Sequence, residues 1–434
     1  MKAIVHPAGR LSGAVRAPSS KNYTTRCILA ACLADGESWV RFPAHADDHQ
    51  ALIRCCRQLG AQIESTGPEA IRIIGFGRNP LPQTAPLNTG NAGAVLRFLL
   101  AVGALLPEVT FITNYPESLG KRPNQDLLDA LAQLGVECES NGGRLPITLR
   151  GGIRRTGRIS VSGAVSSQFL SGLLFLAPLL PASVEIEVVN GLKSKPAVRQ
   201  TLDVLKRAGI ELRCSSDLLH FHVPAPQAYR PGEFVVNGDY PGAAAILSAA
   251  AVVPGSDVVV EGLFPDEQGE RAILDVLRMM GACVEERPGG QVSLKAPERL
   301  RAVEFDGDRA TDAVLAMVGA ACLAQGRSRF YNVENLRFKE CDRISEPLAE
   351  LRRLGVVGEE RRSEIIVTGR PEGYEGGVTL SGRGDHRVIM LLTIVALRCR
   401  RPVIVEGAGH ISKSYPEFFD HLRALGAKIE LETD

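Results

Sequence analysis

Three basic residues stand where local chemistry disfavours them. Lys21 in SSKNYTTR, Arg97 in TGNAGAVLR and Arg387 in GRGDHRV each lie at the beginning of a long apolar run that reads as a helix. A helix N-terminus presents unpaired N–H groups and about half a positive charge. A cation placed there opposes the dipole and needs an anion nearby. Asp, Ser and Asn at such ends are explained by capping alone, so Ser166, Ser167, Gln168, Asp239, Asp312 and Asp385 in the matching segments are ambiguous by themselves. Three further basic segments carry Arg122 (GKRPNQD), Lys339, Glu340 and Arg343 (NLRFKECDR), and Lys413 (GHISKSYP). Each alone suits a solvated face. Together they predict a ligand set with two or more strongly anionic groups, met by helix N-termini and approached closely at glycines such as Gly93.

The elements that must position these residues recur. An amphipathic helix closed by Gly and followed by a short strand appears six times, ending at Gly60, Gly135, Gly209, Gly281, Gly355 and Gly426, at intervals of 71 to 75 residues. Gly can adopt the left-handed conformation that ends a helix and releases a strand. Upstream of each lies a second helix, apolar nearly all round and therefore buried, as in LRFLLAVGALL or AILSAAAVV. The polar residues above fall just before or inside the first turn of these buried helices. Each repeat of about 72 residues thus reads β-α-β-α-β-β. Six are too many for one core, so the spacing predicts an α/β protein of two domains with three βαβαββ repeats each. The boundaries are residues 20–237 for one domain and residues 1–19 with 238–434 for the other, the fourth repeat beginning near Asn237. The amino-terminal stretch Lys2–Val15 reads as a strand that closes the last repeat.

Composition narrows the function. Fifty Lys and Arg face 49 Asp and Glu in 434 residues, a net charge of +1, so no global basic field points to nucleic acid. The ten cysteines are scattered without paired spacing, which argues against a zinc site or a disulfide framework. No apolar run reaches membrane-spanning length and the start lacks leader features; the chain reads as cytoplasmic. His45-Ala-Asp-Asp-His49 could suggest a metal site, but it reads as a solvated loop. Gly407–Ser414 lacks the second glycine of a phosphate loop, Ser412 occupying its place.

In chain order, Ser20 to Arg26 (S-K-x-x-x-x-R), Gly90 to Arg97 (G-N-A-G-x-x-x-R), Lys121 to Pro123 (K-R-P), Val165 to Phe169 (V-S-S-Q-F), Ser194 to Pro196 (S-K-P), Lys339 to Arg343 (K-E-x-D-R), Asp385 to Arg387 (D-H-R) and the Lys413 segment form a set. With these motifs the chain resembles the 5-enolpyruvylshikimate-3-phosphate synthase family of enolpyruvyl transferases along nearly its whole length. The resemblance implies the enolpyruvyl transferase fold, an inside-out α/β barrel in each domain, with an active site that closes between the domains. It implies transfer of the enolpyruvyl group of phosphoenolpyruvate to the 5-hydroxyl of shikimate 3-phosphate, in a monomer, with no metal or organic cofactor. Carried onto this sequence, phosphoenolpyruvate would meet Lys21, Asn91, Gly93, Arg122, Gln168, Arg343, Arg387 and Lys413. Shikimate 3-phosphate would meet Lys21, Asn22, Arg26, Ser166, Ser167, Gln168, Ser194, Asp312, Asn335 and Lys339. Asp312 would act as base toward the hydroxyl, and Glu340 with Lys21 as the proton-transfer pair.

Four positions depart from the family pattern: Asn22 for Ser, Ala94 for Thr, Phe98 for Pro, and Ala197 for an aromatic residue. Three other readings compete. An enolpyruvyl transferase acting on UDP-N-acetylglucosamine would share Lys21-Asn22 but needs a loop cysteine, and none lies between Cys56 and Cys138. A paralogue with a different cyclitol acceptor would account for Asn22 and Ala197. A binding protein on the same scaffold would be expected to lack some of Lys21, Arg122, Asp312, Glu340 and Arg387, all of which are here.

Overall fold

The computed structural model describes residues 1–433. Two compact domains emerge, Ser19–Val236 and Met1–Pro18 with the chain from Asn237 on. Six helices are buried along most of their length: α1 (Lys21–Leu33), α3 (Gly93–Gly103), α5 (Ser167–Leu176), α7 (Tyr240–Val252), α9 (Val314–Ala321) and α11 (His386–Ala396). Six amphipathic helices alternate with them: α2 (Asp47–Gln58), α4 (Gln125–Gln133), α6 (Lys195–Arg207), α8 (Ala272–Met279), α10 (Ser345–Arg353) and α12 (Phe418–Ala424). Their apolar faces close each core and their polar faces meet solvent. In one domain α3 packs on α5, and α6 on both α1 and α5; in the other, α7, α9 and α11 pack on one another. The six closing glycines all have positive φ, from 74° at Gly209 to 107° at Gly60, as the helix-to-strand switch requires.

Five repeats are built on a four-stranded mixed sheet; the fifth repeat's sheet has five strands, and Tyr374–Gly376 pairs with Cys399–Arg401 in a separate two-stranded ribbon. In the second repeat, Leu87–Asn88 runs parallel to Glu108–Ile112, which pairs antiparallel with Arg144–Arg150, and that strand with Glu137–Asn141. The parallel step holds the buried helix as its crossover, and the antiparallel hairpin follows the amphipathic helix.

Two sheets are assembled differently from the simple serial reading. Lys2–Val15 is two strands in two sheets, not one. Lys2–Val5 lies between Val403–Glu406 and Ile429–Glu432 in the sixth sheet, whereas Ser12–Arg16 is the parallel edge strand beside Asp257–Glu261 in the fourth. The equivalent edge strand of the first sheet is Glu233–Val235, parallel to Glu37–Arg41. The fourth repeat therefore takes its first strand from residues 12–16, and residues 233–235 complete the first repeat. Alternating apolar residues make either strand acceptable to either sheet, so local pattern does not determine the partner.

Candidate active site

The polar clusters sit at the N-termini of the buried helices, and the caps divide them into two kinds. Ser20 Oγ accepts from Tyr23 N–H (3.5 Å), Ser166 Oγ from Gln168 N–H (3.3 Å), Asp239 Oδ2 from Gly242 N–H (2.8 Å) and Asp385 Oδ1 from Arg387 N–H (2.8 Å). At α3 the cap residue is Ala92 and makes no side-chain bond, so its first N–H groups lack a side-chain partner. At α9 a 3-10 turn, Thr311–Ala313, precedes the helix and carries Asp312.

In the Ser19–Val236 domain the side chains around α3 form a cationic pocket. Arg97 is 8 % exposed. It donates to Asn124 Oδ1 (3.2 Å), Ser166 Oγ (3.3 Å), Gln168 Oε1 (2.7 Å) and the Pro123 carbonyl (3.3 Å), and lies over the Phe169 ring at 5.0 Å. Every one of these partners is neutral. Burial, reinforced by the neighbouring Arg122, lowers the Arg97 pKa to about 10. A Cβ built on Gly93 would fall 3.0 Å from an Arg122 guanidinium nitrogen and 3.7 Å from both Arg97 Nη1 and Gln168 Oε1. Gly93, Arg97, Arg122 and Gln168 thus converge on one point, where two guanidinium groups have no counter-charge. Asn91 nearby in sequence has its side-chain oxygen buried without a partner. Such an arrangement is built to take a strong anion.

Arg26 repeats the theme on α1. It is 2 % exposed and donates to Thr201 Oγ1 (2.9 Å), the Asn22 carbonyl (2.9 Å) and the Ala197 carbonyl (3.0 Å). Burial lowers its pKa to about 10. Phe98, one of the departures, is fully buried beneath this guanidinium at 5.3 Å and packs on Phe175. Ala197, another departure, meets Arg26 only through its backbone carbonyl. Ser194 caps α6 in a left-handed conformation, φ 51°, with no side-chain bond to the helix. Lys21 meets the carboxylate of Asp48 at 2.5 Å.

The other domain holds a different kind of cluster, rich in carboxylates. Arg343 is 2 % exposed and donates to Asp312 (3.0 Å), Glu340 (2.8 Å) and Asp385 (2.8 and 3.2 Å). Lys339 stands 3.6 Å from Asp312, and Lys413 donates to Glu340 at 2.6 Å. Burial alone would raise the Asp312 pKa, but Lys339, Arg343 and Arg387 more than reverse it and hold it below the carboxylate range. Glu340 is lowered in the same way by Arg343 and Lys413. Arg343 therefore has most of its donors committed to protein carboxylates. Arg387 is the opposite. It is 7 % exposed, its Nε has no partner, and Nη2 lies 4.0 Å from Asp239. Asn335 donates to Thr311 Oγ1 (3.1 Å) and leaves its own oxygen unpartnered.

Several participants were missed in the sequence. Arg97 was marked as a cation against a dipole but had no assigned ligand. Asp48 and His49 were read as a solvated loop; instead α2 begins at Asp47 and His49 is buried. The signal for a helix start was present in Asp47 and Asp48, since acidic residues favour a first turn. Glu270 accepts the Asp312 N–H at 3.3 Å, and burial next to Asp312 raises its pKa to about 7. Nothing in its sequence neighbourhood marks it. Gly407 adopts φ 71° ahead of a 3-10 turn, Ala408–Lys413, rather than a phosphate loop. Among the described residues no group of three or more His, Cys, Asp or Glu is arranged to hold a metal ion, and no helix is long and apolar enough to cross a membrane.

Paired three-repeat domains with polar clusters at buried helix N-termini define the enolpyruvyl transferase fold. The chain is similar to EPSP synthase from Acinetobacter baumannii (TM-score 0.86, 22 % identity, all of both chains) and to the enolpyruvyl transferase NikO from Streptomyces tendae (TM-score 0.79, 19 % identity, 99 % of this chain and 98 % of that one). Residues 5–422 match the family described as EPSP synthase (3-phosphoshikimate 1-carboxyvinyltransferase). The 3-phosphoshikimate 1-carboxyvinyltransferase of Deinococcus radiodurans is 49 % identical over 427 residues, covering 98 % of this chain and 96 % of that protein. Its namesake from Burkholderia pseudomallei is 37 % identical, covering 97 % and 93 %. The chain belongs to the EPSP synthase family.

Proposed function

We infer that this chain transfers the enolpyruvyl group of phosphoenolpyruvate to the 5-hydroxyl of shikimate 3-phosphate and releases phosphate. The family match over the full chain supports the reaction. The observation that carries the residue assignment is the pair of guanidinium groups, Arg97 and Arg122, left without counter-charge around Gly93. That pocket suits the phosphoenolpyruvate phosphate, with Lys21, Asn91 and Gln168 contributing. Arg387, whose Nε has no partner, suits its carboxylate, and Arg343 and Lys413 supply further charge. Shikimate 3-phosphate is assigned to Asn22, Arg26, Ser166, Ser167, Ser194, Asn335 and Lys339, with Asp312 on its reacting hydroxyl.

The reaction adds the hydroxyl to C2 of the enol while C3 takes a proton, then expels phosphate from the tetrahedral adduct as the C3 methyl gives a proton back to the acid–base group and the double bond re-forms. Asp312 is ionised at neutral pH and accepts a hydrogen bond from the hydroxyl; as a weak base it removes the proton in concert with attack, not before it. Glu340 is ionised too, so it must gain a proton before giving one to C3. An anionic substrate competes for Arg343 and Lys413, weakens their hold on Glu340 and raises its pKa. Substrate arrival thereby arms the acid, with Lys21 as its partner in proton transfer.

Purified protein mixed with phosphoenolpyruvate and shikimate 3-phosphate is expected to release phosphate and form the enolpyruvyl ether, followed by phosphate assay and NMR. No release with shikimate 3-phosphate, but release with another cyclitol, would replace the acceptor.

A further inference from the structure

Lys21 is the first residue of α1, and a cation there opposes the helix dipole. What holds it lies on the neighbouring amphipathic helix. Asp48 Oδ2 is 2.5 Å from Lys21 Nζ, with side chains 17 % and 28 % exposed. The next residue, His49, is buried and contacts the Lys21 carbonyl through Nε2 at 3.0 Å. Its Nδ1 accepts the Ala46 N–H at 3.4 Å. Nδ1 must therefore be unprotonated and Nε2–H must donate, which is the neutral ring; burial lowers its pKa to about 4 in agreement. The approach to α2 is also tied to α1, because Thr24 Oγ1 accepts the Ala44 N–H at 3.0 Å and donates to the Ser20 carbonyl at 2.8 Å. Two consecutive residues of α2 thus grip Lys21 at both ends, main chain and ammonium.

We propose that Asp48 is a positioning residue for the reaction: through its ion pair with Lys21, on a helix registered by His49, it fixes the ammonium where proton transfer requires it. A lysine has four rotatable bonds, and a free ammonium at this helix end would be pushed away by the dipole. Asp48 offsets both effects without touching substrate. The proposal rests on Lys21 acting in the reaction, so the test must separate the two ideas.

The experiment is a double-mutant cycle on the full chain, read as kcat and as KM for each substrate. Lys21→Met is expected to lower kcat by about 100-fold or more. Asp48→Asn keeps shape and loses charge; kcat is expected to fall about 10-fold with KM for shikimate 3-phosphate unchanged, and Asp48→Glu to recover most of the loss. Asp48→Asn made in the Lys21→Met protein is expected to add no further loss, because its partner is already gone. A purely structural Asp48 would multiply the loss in both backgrounds and would not distinguish kcat from KM. Full multiplication, or no effect of Asp48→Asn while Lys21→Met is slow, overturns the proposal. Near-normal turnover of Lys21→Met instead overturns the reading of Lys21 on which it stands.

Discussion

Replacing Arg97 by Met separates a guanidinium kept for a ligand from one kept for the fold. Met preserves the aliphatic stem over Phe169 while removing the charge and four donated hydrogen bonds. In the ligand-free protein, burial and the adjacent Arg122 lower the Arg97 pKa from its usual value to about 10. A cation whose folded pKa is depressed destabilises the native state throughout the pH range below that pKa, and the penalty fades only as pH rises toward the unfolded value. A drop of this size corresponds to roughly 3 kcal/mol at neutral pH. Against it stand four hydrogen bonds to neutral acceptors, worth about 0.5–1.5 kcal/mol each. The two contributions largely offset each other, so Arg97→Met is expected to alter ligand-free stability by no more than about 3 kcal/mol. Binding is a different matter. Removing one partner of a desolvated charge pair costs about 2–5 kcal/mol, so the affinity for phosphoenolpyruvate should fall roughly 30-fold or more. Urea unfolding without ligand gives the first quantity. Titration with phosphoenolpyruvate in the presence of shikimate 3-phosphate gives the second. A stability loss above about 4 kcal/mol with unchanged affinity would show that Arg97 serves the fold and would refute the reasoning.

Other outcomes follow from the same geometry. Gly93→Ala places a methyl group 3.0 Å from the Arg122 guanidinium; KM for phosphoenolpyruvate should rise about 10-fold or more, while stability holds or gains up to about 1 kcal/mol from helix propensity. Asp312→Asn should reduce kcat by about 100-fold or more with a smaller change in KM for shikimate 3-phosphate, measured by steady-state kinetics. Arg343→Met leaves Asp312, Glu340 and Asp385 without their shared cation and should cost about 3–5 kcal/mol in urea unfolding. The pH dependence should change as well. With Arg343 present, the lowered pKa values of Asp312 and Glu340 contribute stability that is complete above about pH 5 and is lost on acidification below it. Without Arg343, the carboxyl pKa values rise, with only Lys339, Arg387 and Lys413 left to oppose burial, and acid unfolding should be less steep over that range.

The family and the repeat architecture were legible because both are written locally. A helix-ending glycine, a buried apolar helix and a polar first turn are each short-range patterns, and six copies make them unmistakable. The cations at Lys21, Arg97 and Arg387 were also legible, since the helix dipole that disfavours them depends only on their place in the helix. Which of them has a partner was not. Lys21 is answered by Asp48, Arg387 reaches only to 4.0 Å from Asp239, and Arg97 meets neutral groups alone.

Partnership is a tertiary property. Arg26 bonds to Thr201 across 175 residues and Arg343 to Asp385 across 42, distances over which no spacing rule operates. The same limit produced the misreading of Lys2–Val15. Strand pattern specifies which face is buried and not which sheet supplies the neighbour, so one stretch could be divided between the fourth and sixth sheets. By itself the sequence determined six repeats, two domains' worth of core and the positions at which anions are wanted, because those depend on local backbone and charge. Tertiary structure decided which cations stay uncompensated, because only packing determines how far each buried charge is from its nearest opposite.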